Sequence, residues 1–286
     1  MSISVLILTR NEQSDLPGCL ESVAWSDDVH VFDSDSSDAT VAIAEAFGAC
    51  VTCRSYGEDR RLFGGDESAH RNWGLRNIAF KHAWVFVIDA DERMTPSLVE
   101  AAQRAVASPD DHVAFRVQRR DFMLGTWLRH VQSSPYYVRL FRPDKFRYER
   151  LVNPLSIVDG AVGDCAGYLD HHPFSKGMSH WLDRHNAYSS LEAKQIIENR
   201  RNGASFSPIK AFVARDFHTR RFHQKELFYR LPLRPLLKFL LLYVGKRGFL
   251  DGRAGLRYAT LQSIYEYMIV LKVRDAEQVD AALRGR

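Results

Sequence analysis

Little in this chain marks a specialised class of protein. Of 286 residues only 4 are Cys, 10 are Pro and 17 are Gly. That excludes a disulfide scaffold, a collagen-like repeat and a Pro/Gly-rich spacer. Long apolar runs are missing as well: Ile3 to Leu8 and Phe239 to Val244 are six residues each. A bilayer-spanning helix takes about 20 predominantly apolar residues. No basic residue precedes Ile3, so a secretory signal is not expected, and with it the four cysteines are expected to be reduced thiols in the cytoplasm. No repeat of fixed period and no biased tract occurs. What remains is an ordinary globular composition, 45% hydrophobic and 26% charged, apolar enough to offset the entropy of ordering and to exclude intrinsic disorder.

The net charge of +4 conceals an asymmetry. Residues 200–286 hold 18 Lys+Arg against 7 Asp+Glu, whereas residues 1–199 are acidic, with 21 against 28. An acidic body joined to a basic tail predicts a polyanionic partner for the tail.

Strand and helix patterns alternate through the first hundred residues. Ser2 to Leu8 reads as a buried strand, Leu16 to Val23 as a helix, Val29 to Phe32 as a strand and Ala39 to Phe47 as a helix stopped by Gly48. Ala49 to Cys53 and Ala83 to Ile88 read as further strands, Ser68 to His82 as a helix, and Pro96 opens another. Such alternation predicts an α/β fold with a mainly parallel sheet flanked by helices, whose ligands bind at the carboxyl ends of the strands. Three of those ends carry polar loops: Thr9 to Glu12, Asp33 to Asp38, and Asp89 to Glu92. Beyond residue 110 the strands Val113 to Val117, Tyr137 to Phe141 and Leu155 to Val158 precede a helix over His180 to Asn199. A basic, aromatic segment follows, then a final helix over Ala254 to Val273.

Asp89 and Asp91 stand one residue apart at a strand end. Two such hard oxygen ligands suit a divalent cation, Mg²⁺ or Mn²⁺, that neutralises a diphosphate. A solvated acidic turn is the plainer reading of an isolated Asp-x-Asp. A phosphatase of the haloacid dehalogenase type would want Thr or Val where this chain has Arg93.

In combination the loops say more. Val5 to Glu12 with Cys19 to Val23, Asp33-Ser34-Asp35-Ser36-Ser37-Asp38-Ala39-Thr40, His70-Arg71-Asn72 and Asp89-Ala90-Asp91-Glu92 together resemble glycosyltransferase family 2. The resemblance implies a GT-A fold with a Rossmann-like nucleotide-binding half, and inverting, metal-dependent transfer from a nucleoside-diphosphate sugar. It implies that Thr9, Asn11 and Glu12 line the nucleotide pocket and that Asp33 bonds the base or ribose. It further places Arg71 near the nucleotide, Asp89 on the ribose or metal, and Asp91 on the metal. Asp35 and Ala39 stand where the family often has Gly. Arg119 to Phe122, Gly125 to Leu128, Arg139 to Arg142, His171, Phe174 to Gly177 and His185 to Ser189 resemble the lipopolysaccharide-core and exopolysaccharide members. Those members often carry Val-His-Glu, with the Glu as a candidate base, where this chain has Val152-Asn153-Pro154.

Inverting transfer needs a carboxylate to take the acceptor's proton. Asp121 is the first candidate, following a strand and preceding a Gly-aromatic loop, with Glu149 second; a salt bridge to Arg119 or Arg120 is the structural alternative for Asp121. His171 is a candidate third metal ligand by resemblance. His185 reads as a packed or capping residue. Cys50 and Cys53 lack a second ligand pair, and read as buried thiols.

From Phe217 to Lys238, Arg and Lys alternate with Phe, Tyr and Leu, a pattern that suits an anionic membrane surface. Packing on the body is the alternative, and nucleic acid is not expected, since no nucleic-acid motif accompanies the charge. The expected organisation is a GT-A catalytic domain over 1–227 and a C-terminal helical basic extension over 228–286. The protein is expected to be peripheral at the inner face of the cytoplasmic membrane, acting on a saccharide or lipid-linked saccharide. A nucleotidyltransferase or a non-catalytic sugar-nucleotide-binding scaffold are the competing functions.

Overall fold

The computed structural model describes residues 3–57, 66–149, 154–201, 206–214 and 217–284. The stretch Val152-Asn153, where a family Val-His-Glu would fall, lies outside them. In chain order the elements are β1 (Ser4–Thr9), α1 (Leu16–Val23), β2 (Val29–Asp33), α2 (Thr40–Phe47), β3 (Cys50–Cys53), α3 (Glu67–Asn77), β4 (Val85–Asp89), β5 (Glu92–Met94) and α4 (Pro96–Ala107). They continue with β6 (His112–Met123), β7 (Thr126–Trp127), β8 (Tyr136–Phe141), β9 (Phe146–Glu149), β10 (Leu155–Val158), β11 (Ala161–His171) and the helices α5 (Gly177–Arg201), α6 (Lys210–Val213), α7 (Phe217–Arg230), α8 (Arg234–Leu240) and α9 (Gly252–Arg284).

The main sheet runs in the order β3-β2-β1-β4-β8-β6-β11-β5. β1 pairs in parallel with β2 and β4, β2 with β3, and β6 with β11, while β8 and β5 run against their neighbours. Six strands therefore point one way, and Thr9, Asp33, Asp89, Asp121 and His171 share one edge of the sheet. This is the mainly parallel α/β architecture that the alternating pattern predicts.

Period-2 alternation sorts β1 between two cores. Val5 and Ile7 pack with α1 and α4 through Leu16, Leu20, Leu98 and Ala102, while Leu6 and Leu8 pack with Phe32, Leu75 and Phe141. Both faces are covered, which is why the strand reads as an unbroken apolar run. On α1 the buried positions 16, 19, 20 and 23 have helical spacing, and Thr95 caps α4 by accepting the Leu98 N–H. Gly48, at φ 86°, ends α2 in the left-handed conformation that glycine adopts without a Cβ clash.

Several elements differ from the sequence reading. α3 stops at Asn77 rather than His82, because Ile78 turns extended and the chain beyond is captured by β1 and its neighbours: Asp28 accepts the Lys81 N–H at 2.8 Å and Ser4 Oγ the His82 N–H at 3.1 Å. β6 extends to Met123, so Asp121 lies within a strand rather than after one. β11, eleven residues long, had no sequence signal, since its polar and small residues do not alternate cleanly. Cys50 and Cys53 are exposed, contrary to the buried-thiol reading, because β3 is an edge strand; Cys19 and Cys165 are buried.

The chain forms two compact units, Met1–Phe122 with Ser134–Lys176, and Met123–Ser133 with Gly177–Arg286. The boundary expected near Leu227 falls inside α7. In the second unit α5 packs on α9 through Ala193, Ile196, Ile269 and Val273. His185 stacks on Trp181 at 3.5 Å and meets Tyr265 edge-on, the packed role expected of it. Among the described residues no helix is long and apolar enough to cross a membrane.

Gly167 carries a sharp demand in the first unit. It sits in the irregular part of β11 at φ +96°, and a Cβ there would lie 2.7 Å from the backbone of Leu98. Gly167→Ala is expected to cost about 3 kcal/mol, from backbone strain and overpacking together, read as a lowered urea midpoint with an unchanged m-value.

Candidate functional site

The two N-terminal polar loops are laced together. Asp33, buried at the end of β2, accepts from Thr9 Oγ1 at 2.8 Å and from the Ser36 N–H at 2.8 Å. The Asn11 N–H donates to Ser36 Oγ at 2.8 Å, Asn11 Oδ1 accepts the Ser37 N–H at 2.8 Å, and the Glu12 N–H donates to Thr40 Oγ1 at 2.7 Å. Asp35 takes φ +54°, the region a glycine would take, and its carboxylate accepts from Ser55 Oγ at 2.7 Å. The loop thus keeps a left-handed residue at this position, and Asp tolerates that region better than most residues.

The Asp89–Glu92 turn is built around a buried ion network. Glu92 is fully buried and forms an ion pair with Arg139 at 2.6 Å; its other carboxylate oxygen accepts the Asp89 N–H at 3.0 Å. Arg139 also reaches Asp89 at 2.9 Å, and Arg71, from α3, reaches Asp89 at 3.3 Å and Glu67 at 2.8 Å. Burial would push the Asp89 carboxyl up, but Arg139 and Arg71 outweigh it and hold it well below the usual carboxylate range. Glu92 is pushed up by its burial, with Arg139 opposing. Asn72 ties α3 to β9 by exchanging two 2.8 Å bonds with the Tyr148 backbone.

Asp91 meets His171 through the pairing of β5 with β11, which sets Glu92 opposite His171. Asp91 Oδ2 lies 3.2 Å from His171 Nε2, and the Asp91 carbonyl accepts the His172 N–H at 2.9 Å. On its other side His171 Nδ1 is hydrogen-bonded to Asp121, which also pairs with Arg119 at 3.1 Å. Burial disfavours the charged imidazole, yet Asp91 and Asp121 outweigh it and His171 is pushed up to about 9. Asp121 is only 2% exposed and faces these partners. Glu149 is half-exposed and pairs with Arg147 at 2.8 Å.

Among the described residues no group of three or more His, Cys, Asp or Glu side chains forms a metal cage. The pair Asp91–His171 nevertheless fits a cation that takes its remaining ligands from a diphosphate and water. Two neighbouring ligands of an octahedral cation with bonds of about 2.1 Å lie roughly 3.0 Å apart, close to the 3.2 Å found here. Asp121 on the far nitrogen is the carboxylate partner that metal-binding imidazoles commonly have.

Sequence reasoning missed Glu92 and Arg139 as a pair, and it missed Lys176. Lys176 Nζ donates to the Asn11 carbonyl at 2.8 Å and to Glu12 at 2.7 Å, and Ser175 Oγ donates to Asp15 at 2.9 Å. The segment after β11 is thereby fastened to the first polar loop. The motifs Arg139 to Arg142 and Phe174 to Gly177 contained these residues, but no local pattern says which loop a side chain will reach.

Polar loops gathered at the carboxyl edge of a mainly parallel sheet define a ligand-binding α/β protein. Residues 4–171 match the profile of "Glycosyl transferase family 2". The chain belongs to that family and is a glycosyltransferase, with the GT-A type of fold. It is 28% identical over 99% of its length to a lipopolysaccharide core biosynthesis glycosyltransferase, LpsC, of Rhizobium meliloti, covering 98% of that protein. It is 32% identical over 71% of its length to an uncharacterized glycosyltransferase, RC0292, of Rickettsia conorii, covering 73% of it. Among solved structures it resembles glucosyl-3-phosphoglycerate synthase of Mycobacterium tuberculosis in complex with Mn²⁺, UDP and glucosyl-3-phosphoglycerate, at 22% identity and a TM-score of 0.35, over 42% of this chain and 44% of that one.

Glu12 supplies a test of the site's electrostatics. Burial pushes its carboxyl up to about 7 from an ordinary 4.5, against the pull of Lys176, with Asp91 and Asp15 adding to the rise. The folded protein therefore holds this proton more tightly than the unfolded chain, and the stability that goes with it falls as pH rises from about 4.5 to 7. Glu12→Gln removes that titration. The urea midpoint of the metal-free variant, relative to wild type, should climb between pH 4.5 and 7.5; a pH-independent difference would contradict this account.

Proposed function

We propose that the protein transfers a hexose, with inversion, from a nucleoside-diphosphate sugar (a UDP-sugar) to a lipopolysaccharide-core or lipid-linked exopolysaccharide acceptor. The observation that carries the reading is the Asp91–His171 pair, set on the same sheet edge as the laced Thr9–Glu12 and Asp33–Thr40 loops. Thr9, Asn11, Glu12 and Asp33 line the nucleotide pocket; Glu12 Oε2 is buried without a partner in the protein and suits a ligand hydroxyl. Arg71 and Asp89 lie beside the nucleotide, where the paired guanidinium and carboxylate oppose phosphate and ribose respectively. The similarity to LpsC along almost the whole of both chains supports the core-saccharide acceptor.

A divalent cation, Mg²⁺ or Mn²⁺, held by Asp91 and His171 would offset the charge that grows on the departing diphosphate. The acceptor oxygen attacks the anomeric carbon as the bond to the diphosphate breaks, and the acceptor's proton leaves to a carboxylate. The sequence makes Asp121 the first candidate for that task. Its enclosure by His171 and Arg119 supports a positioning role instead, orienting the imidazole with Nε2 turned to Asp91. The acceptor's lipid gives the protein an anionic membrane surface as partner, met by the C-terminal basic region at the inner face of the cytoplasmic membrane.

Calorimetric titration with UDP-, GDP- and dTDP-sugars, each with and without Mn²⁺, tests the donor site. Metal-dependent binding of one nucleotide class, weakened at least tenfold in Asp91→Ala, is expected; a folded protein that binds none would overturn the reading. A nucleotidyltransferase would instead release pyrophosphate, and a scaffold would bind donor without turnover. Asp121→Asn separates the two roles of that residue. If it positions His171, the variant needs about 10- to 100-fold more Mn²⁺ and recovers activity at saturating metal. If it is the base, kcat stays low at every metal concentration and the acidic limb of the pH profile disappears.

A further inference from the structure

The second unit displays an apolar surface where its chain turns from α8 into α9. Leu233, Leu236, Leu240, Leu241 and Val244 are 72%, 52%, 44%, 52% and 56% exposed, and Phe249 and Leu250 are 48% and 55% exposed. Positions 236, 240 and 244 recur at helical spacing, so α8 and the π-helical turn Leu241–Gly245 carry a solvent-exposed apolar stripe, preceded by Leu233, whose backbone is left-handed. A soluble helix ordinarily turns such a stripe inward. Here the inward side is secured by polar contacts instead. Arg234, 5% exposed, forms a buried ion pair with Glu266 of α9, and Ser263 Oγ donates to the Pro235 carbonyl at 2.8 Å.

The tip of the turn is held as firmly. Asp251 is buried and accepts the backbone N–H groups of Arg129, His130 and Val131 at 3.2, 2.9 and 2.8 Å, besides His130 Nδ1 at 2.7 Å. Gly248 lets the 3₁₀ turn Gly248–Asp251 close: a Cβ there would lie 2.6 Å from the Leu242 carbonyl oxygen. Phe249 and Leu250 are consequently fixed outward rather than free to fold onto the unit.

Charge completes the pattern. Lys246, Arg247, Arg253 and Arg257 lie in or next to the apolar turn along the chain and are exposed, and between Leu231 and Tyr265 the one acidic residue is the buried Asp251. Among the described residues no carboxylate pairs with Arg247, Arg253 or Arg257. On α7 the contrast is clear: Lys225 pairs with Glu192 at 3.2 Å, Arg230 approaches Glu226 at 3.9 Å, and Tyr229 donates to Glu192 at 2.9 Å. Two cations of the helix whose sequence best suggests a membrane face are thus paired with carboxylates of the protein.

We propose that the turn from Leu233 to Leu250 is a preformed wedge that enters the headgroup layer of an anionic bilayer, with Lys246, Arg247, Arg253 and Arg257 resting on the lipid phosphates. Exposed apolar residues close in the chain to cations, three of which have no carboxylate partner among the described residues, are the combination that interfacial binding uses. The inference sharpens the membrane part of the proposed function, to which it owes its partner, and is independent of the donor site.

Co-sedimentation of the full-length protein with vesicles tests it, using phosphatidylglycerol/phosphatidylcholine mixtures against phosphatidylcholine alone. Two double variants are compared with wild type: Phe249→Ser with Leu250→Ser in the wedge, and Arg220→Glu with Lys225→Glu on α7. The wedge variant should bind anionic vesicles at least tenfold more weakly while retaining wild-type circular dichroism and Mn²⁺-dependent nucleotide binding; the α7 variant should lose less than threefold. Loss in the α7 variant alone would overturn the wedge and leave membrane binding intact. Failure of wild type to bind any vesicle would overturn both, without touching the donor site. A wild-type dimer that the wedge variant converts to monomer, with no vesicle binding, would reassign the surface to a second copy of this chain.

Discussion

A carboxylate with no access to water, Glu92, governs the geometry of the site. Its bond to the Asp89 N–H shapes the turn after β4, and its ion pair with Arg139 ties that turn to β8. A buried pair of this kind is weak evidence for stability, since both charges lose their water, but removing one partner leaves the other uncompensated at a cost of about 3–5 kcal/mol. Its use here is directional. The turn can point Asp91 toward β11, where His171 waits in register with Glu92.

From that fixed turn the rest of the site follows. Asp91 and Asp121 hold His171 from opposite sides, and Arg71 and Arg139 hold Asp89. Such support holds charged groups in place before any ligand arrives, the preorganisation on which electrostatic stabilisation depends. The laced loops at β1 and β2 achieve the same with neutral hydrogen bonds.

The second unit meets a different constraint. Its helices are short of apolar burial and long on charge, and several of its contacts are polar: Arg234 with Glu266, Asp251 with three backbone amides, Lys272 with Asn186 and Ser189. Polar anchoring leaves apolar side chains for the surface. That is a costly arrangement for a protein surrounded by water alone, and an economical one for a protein whose surface meets lipid.

The sequence by itself determined the alternating elements of the first hundred residues. Buried β1, the helical spacing of α1, Gly48 after α2 and Pro96 at the head of α4 are local signals, because periodicity and capping act within a few residues. It determined also which loops carry Thr9, Asn11, Asp33, Asp89 and Asp91, since each ends a strand of the parallel sheet. Only the tertiary structure decided what those side chains touch. β11 has no clear alternation, yet its pairing with β5 and β6 brings His171 between Asp91 and Asp121 across 80 and 50 residues of chain. The inward placement of Asp121, the partnership of Glu92 with Arg139 and the outward stripe from Leu233 to Val244 are likewise products of long-range packing. A charge or an apolar residue has the same local pattern whether its partner is a neighbour, a ligand or a lipid; only the fold chooses among them.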